Sequence, residues 1–257
     1  TMYYLNKSFL VLALIVISFF SCEKTSSLEM ESLTNDAIRT LASATGEAHN
    51  TLVDSAARSF DVQGVNSQEY RKAILSIKLS NFSATVPESK VIYDKYGLFE
   101  PENYVQKHFK KIDEHTKKYL VEIFLIAKEG FSQSTLLKID SKLEAIFNDK
   151  DLGQPEKLLL AGTLEISRNS LKYWNDARMN KSNPYHTFFS NTIRSNTIGP
   201  FFHFDCTTMI DMSMYAISFQ DNYYTNALSL ETSNQMALQD AAYQSGLASM
   251  AGGACAQ

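Results

Sequence analysis

From Asp36 to Met179 the apolar residues return every three or four positions, and no alternating stretch of comparable length interrupts them. Side chains three and four apart share one face of an α-helix, whereas a half-buried strand alternates at two. This period predicts an all-α chain folded as a multi-helix bundle. Asp36 to Phe60 is Ala-rich, with Ile38, Leu41, Ala48, Leu52 and Ala56 at helical spacings. Asn66, with Glu69 three residues on, has the form of a capping pair opening a helix through Ile74 and Ile77. Val86-Pro87 and Tyr96-Gly97 mark a loop. Pro101 is well placed as a first helical residue. From there Tyr104, Val105, His108, Phe109, Ile112, Leu120, Ile123, Phe124 and Ala127 make one broad stripe that closes at Gly130. Leu136, Leu137, Leu143, Ile146 and Phe147 make another, and Pro155 opens a third through Leu158, Leu159, Leu164, Ile166, Leu171 and Trp174.

Composition narrows the function classes. The 257 residues are 44% hydrophobic, enough to bury a core. Ten Gly and five Pro are too few for a collagen-like or turn-rich all-β chain. With 24 basic against 28 acidic residues the net charge is −4, which argues against a nucleic-acid partner. The balance is uneven along the chain. No Lys or Arg follows Arg194, while Asp205, Asp211, Asp221, Glu231 and Asp240 remain. Helices are expected over about 205–220 and 233–250, the first largely buried because it has few charges to offer water.

The N-terminus carries an address. Lys7 precedes an apolar run from Phe9 to Phe20. Twelve residues rise about 18 Å as a helix, short of the roughly 30 Å hydrocarbon core, so the run reads as a secretory signal. It ends in Phe19-Phe20-Ser21-Cys22. A small residue directly before Cys resembles the lipobox of bacterial lipoproteins, in the Phe-Phe-Ser-Cys form of Bacteroidota-type members. Phe19 and Phe20 depart from the preferred Leu and small residues. The resemblance implies that Cys22 receives a diacylglycerol and further acyl (palmitate-class) chains and that residues 1–21 are removed. The chain would then be anchored to the membrane, not spanning it. An ordinary signal peptide or an uncleaved anchor, with Cys22 incidental, is the alternative. Residues 22–35 are polar and without apolar period, as in a flexible tether. No acidic run follows Cys22, which favours the periplasmic face of the outer membrane within the cell envelope.

On this reading the chain divides into a signal peptide (1–21), the lipidated Cys and tether (22–35), a helical domain (36–179), a connector (180–204) with Asn183-Pro184 as its turn, and a small-residue-rich acidic helical segment (205–257) packed on the bundle. Glu156-Lys157 through Ser170-Leu171-Lys172-Tyr173-Trp174 is similar to a segment of uncharacterised Bacteroidota-type helical lipoproteins, a family whose resemblance implies no activity. Asp54-Ser55-Ala56 matches an O-glycosylation triplet of that phylum's exported proteins.

Candidate chemistry is sparse. Phe204-Asp205-Cys206 resembles the nucleophile segment of NlpC-type cell-wall peptidases, which implies a cysteine hydrolase with Cys206 as nucleophile and His203 or His186 as base. A Cys opening a helix has its thiolate favoured there. The sequence departs from that family: no His follows Cys206, and Thr208 replaces the usual Gly. If Cys22 is lipidated, Cys206 and Cys255 remain as an even pair in an oxidising compartment, so a disulfide stands beside free thiols as the alternative. Closing that loop of about 49 residues would contribute roughly 4 kcal/mol. His108, His115 and Glu122 recur at seven, which is about 10 Å along a helix and too far for one ion. His203 and Asp205 could add two ligands without a defined third. Asp149, Lys150, Asp151 and Gly153 follow a calcium loop only in part, because Gly153 and Leu160 occupy ligand positions. No metal or cofactor is expected. The sequence thus favours a lipid-anchored envelope protein that binds or supports other components. The rivals are a hydrolase using Cys206 and a membrane-active effector using residues 205–254.

Overall fold

The computed structural model describes residues 33–59, 100–186 and 202–250, without the side chains of 55–59, 202–206, 243 and 246–250. Among the described residues there are seven α-helices and no strand, so the protein is an all-α multi-helix bundle. The helices are α1 (Asn35–Ser59), α2 (Pro101–His108), α3 (Glu114–Lys128), α4 (Gln133–Asn148), α5 (Gln154–Met179), α6 (Phe202–Gln220) and α7 (Leu230–Met250). A short π-helical turn, Asp221–Thr225, extends the end of α6. The capping pair at Asn66 and Glu69, and the loop at Val86-Pro87 and Tyr96-Gly97, lie outside the described residues.

Four helices close into a ring: α5 packs on α1 and α6, and α7 packs on α6 and α1. Helices α3 and α4 lie against the outside of α5, with α3 also touching α6 and α2 resting on α3. Buried on all sides from Lys157 to Ser167, α5 is the central helix. Its Gly162 faces the Tyr215 ring, and α1 crosses α5 where a Cβ on Gly46 would stand 2.6 Å from the Glu165 carbonyl oxygen. Small residues at these two points let the helices approach closely.

The flank shows how local sequence places the elements. The stripe from Pro101 to Ala127 is split into two helices, because Asp113 caps a new start by accepting the Thr116 backbone N–H at 2.7 Å. Phe109 and Ile112 are buried in the break. Gly130 ends α3 with φ 77°, a left-handed conformation suited to Gly. Ser132 then caps α4, accepting from the Thr135 N–H at 3.0 Å. Pro101 and Pro155 sit in the first turns of α2 and α5.

Two expected stripes are corrected. Leu137 is 60% exposed, while Thr135 and Ile139 face inward. On α1 the buried face is Ile38, Ala42, Thr45, His49 and Val53, and Leu52 points outward. The true α1 stripe contains polar residues that an apolar search passes over. From Thr207 to Gln220, α6 is buried except at Ile217, in keeping with its lack of charge.

Candidate functional site

A run of polar side chains follows the inner edge of α6. Thr208, Asp211, Tyr215, Ser218 and, in the π turn, Asn222 recur at spacings of three and four, and all are buried. Residues at this spacing form one seam, which in a packed bundle is ordinarily apolar. Thr208, Asp211, Tyr215 and Ser218 take partners from neighbouring helices, and Asn222 donates back to Ser218.

Asp211 is the centre of the seam. Its side chain is fully buried, and Oδ2 accepts hydrogen bonds from Trp174 Nε1 at 2.9 Å and from Ser170 Oγ. These two donors lie one turn apart on α5, so a single carboxylate oxygen satisfies both. Ser170 Oγ is also 3.3 Å from Thr208 Oγ1. His49 of α1, equally buried, brings Nε2 to 3.9 Å from Asp211 Oδ2, too long for a hydrogen bond. Its Nδ1 lies 3.2 Å from Asn50 Oδ1. Burial pushes the Asp211 carboxyl well above its ordinary range, against the opposing pull of His49 and of the Ser170, Trp174 and Ser245 donors. Trp174 is locked by edge-on contacts with Tyr173 and Tyr185, at 5.0 and 5.2 Å between ring centroids.

One turn further along α6, the Tyr215 hydroxyl donates to Asn234 Oδ1 of α7 at 2.7 Å. Asn234 Nδ2 donates to Thr45 Oγ1 of α1 at 2.8 Å, and Thr45 Oγ donates on to the Leu41 carbonyl. Beyond it, Ser218 Oγ donates to Asp240 at 2.5 Å and accepts from Asn222 Nδ2 at 3.1 Å. The levels join α6 to α5 at Asp211, to α7 and through it to α1 at Tyr215, and to α7 again at Ser218.

The seam holds Ser, His and Asp, but in the wrong order for nucleophilic catalysis. A triad needs the serine bonded to the histidine and the histidine to the acid. Here Ser170 bonds to Asp211 directly, and all three side chains are closed off from solvent. What the arrangement does is fix register: sliding α5 or α7 along α6 would strand several buried donors at once.

The sequence candidates are dispersed. Cys22 and Cys255 lie outside the described residues, as do residues 251–257 and hence the end of the proposed effector segment. His203 and Cys206 are the second and fifth residues of α6, so Cys206 stands a turn inside the helix instead of opening it. His186 follows α5, with Nδ1 3.0 Å from the Ala177 carbonyl. His108 closes α2 and His115 begins α3, so the two do not share a helix. Glu122 pairs with Lys142 at 2.5 Å. Instead of His108, His115 meets Asp149, at 2.9 Å. Sequence reasoning missed the seam itself; the three-and-four recurrence of Thr208, Asp211, Tyr215 and Ser218 was the available signal.

No protein-family model, curated protein or solved structure matches the chain. Among the described residues no helix is long and apolar enough to cross a membrane.

Proposed function

We propose that the chain is a lipid-anchored protein of the bacterial cell envelope, held at the outer membrane through Cys22 and acting by binding or structural association. The supporting observation is the closed seam. Asp211, His49 and Ser170, the acid, base and hydroxyl groups that the seam gathers, are buried in the contacts between helices and are out of a substrate's reach. The Phe19-Phe20-Ser21-Cys22 sequence supports the anchor. The inward Asp211 and Tyr215 favour this reading over a membrane-active one, because turning α6 toward lipid would strip Asp211 of its donors.

The test is the intact mass of protein extracted from membranes and alkylated with and without reduction. A chain beginning at Cys22 with a diacylglyceryl increment, and two thiols that react only after reduction, supports the anchor and a Cys206–Cys255 bridge. An unlipidated chain overturns the anchor. Labelling of Cys206 without reduction, together with loss of activity on peptidoglycan fragments in Cys206→Ala, would make the protein a hydrolase instead.

A further inference from the structure

Away from the seam, the flank brings together residues that the sequence keeps apart. His115 lies in the first turn of α3, Asp149 follows the last turn of α4, and Asp151 sits in the link to α5. One ligand atom from each lies within 4.8 Å of the others. His115 Nε2 and Asp149 Oδ2 are 2.9 Å apart. Two neighbouring donors on one six-coordinate ion, with bonds of about 2.1 Å, stand at roughly that separation.

We propose that His115, Asp149 and Asp151 form a surface site for a first-row divalent transition ion, which ties the start of α3 to the α4–α5 link. Groups that are not themselves ligands hold the Asp149 carboxylate in place. The Tyr119 hydroxyl donates to Oδ2 at 2.9 Å, and the Asp151 backbone N–H donates to Oδ1 at 2.8 Å. Tyr119 stands one helical turn from His115, and its ring meets the imidazole edge-on at 5.4 Å, so one residue orients two of the three ligands.

Charge and ligand type select the ion. Two carboxylates balance a divalent cation, and the carbonyl end of α4 beside Asp149 favours positive charge. An imidazole nitrogen suits zinc, nickel or cobalt, whereas calcium and magnesium take oxygen alone. This differs from the calcium loop considered along residues 149–160, because the third ligand comes from another helix. Three protein donors leave room for water, in keeping with a His115 side chain that is 45% exposed.

The test is calorimetric titration of the full-length chain in detergent with zinc chloride, with cobalt(II) absorption as the spectroscopic check. The expected result is one equivalent bound, weakened at least about tenfold by either His115→Asn or Asp151→Asn. Asp151→Asn retains the backbone N–H that orients Asp149, so its loss of binding reports the missing ligand. Equal zinc binding in wild type and both variants places the ion elsewhere and overturns the proposal. Absence of zinc binding overturns it too, and calcium competing on equal terms overturns the ion class.

Discussion

In the flank, Phe124, Ile139 and Ile146 point inward, while Lys138, Glu129 and Glu144 face water. In the ring of α1, α5, α6 and α7, Asp211, His49, Thr45 and Asn234 point inward beside Leu164, Met212 and Phe219. One apolar core runs through both regions, yet only the ring threads a polar seam along it. The flank helices each keep a wet face on which charge can be placed, so α3 and α4 follow the simple pattern of apolar in and polar out. The central helices have almost no wet face, so their buried polar groups turn to one another for partners, although among the described residues His49 Nε2 and Asp211 Oδ1 make no hydrogen bond. Packing in the flank is specified by shape. Packing in the ring is also specified by hydrogen-bond partners, which penalise any slip in register.

Several substitutions test this contrast. The largest effect is expected in the apolar flank, where Phe124→Ala removes a fully buried ring next to Tyr104. It should lower unfolding free energy by about 4 kcal/mol through lost transfer energy and a cavity. Urea denaturation followed by circular dichroism measures it, and the loss should be the same at pH 5 and pH 8.

Asp211→Ala comes next, at about 3 kcal/mol, because it strands the Trp174 and Ser170 donors in the core. Asp211→Asn keeps an acceptor without the charge and should cost much less at neutral pH. The two also differ in pH dependence. A carboxyl raised by burial binds its proton more readily in the folded state. Its stabilising contribution is therefore complete below the ordinary 3.8 and is lost as pH rises through the folded value. The surface carboxylates Glu144 and Asp149, held low chiefly by Arg39 and by the Asp151 N–H, act with the opposite sign. Their contribution is present above the ordinary carboxyl range and is lost on acidification. Subtracting the Asp211→Asn stability profile from the wild-type profile should leave a curve that falls as pH rises. A curve that rises would show Asp211 to be charged and favourably paired.

Gly162→Ala should cost about 2 kcal/mol, since the new Cβ meets the Tyr215 ring, with Cζ only 2.6 Å away. Combined with Tyr215→Phe, which removes the hydroxyl closest to that Cβ, the double variant should lose less than the sum of the two singles. Additive losses would mean that α5 and α6 relax independently at this crossing. The smallest effect belongs to the flank surface: Leu137→Gln should change stability by no more than about 0.5 kcal/mol in a thermal melt. A larger loss there would reveal a contact that covers Leu137.

Most of the flank could be read along the chain. Pro101, Gly130 and Pro155 act within one turn of their own positions, so they mark helix ends wherever the helices later pack. The break between α2 and α3 was readable in principle from Asp113 and Thr116, but the apolar stripe runs on through Phe109 and Ile112 and conceals it. On α1 the period was right and Ile38 was placed inward, but the face was off at Leu52, and Ala42, Thr45, His49 and Val53 were missed. Thr45 is inward where Asn234 meets it from 189 residues away, and His49 is inward beside Asp211, 3.9 Å from its carboxylate and likewise remote in sequence. The trio of His115, Asp149 and Asp151 was hidden for the same reason.

The sequence by itself determined that this chain is helical and marked the helix starts at Pro101 and Pro155 and the helix end at Gly130, because helix period and Gly or Pro conformation depend on neighbours within a turn. It also determined the lipobox-like terminus on which the proposed anchor rests. Only the tertiary structure decided which face of α1 is buried, which polar residues form the seam and which carboxylate His115 meets. Those outcomes depend on whether a buried donor finds its acceptor, and the acceptor stands on another helix.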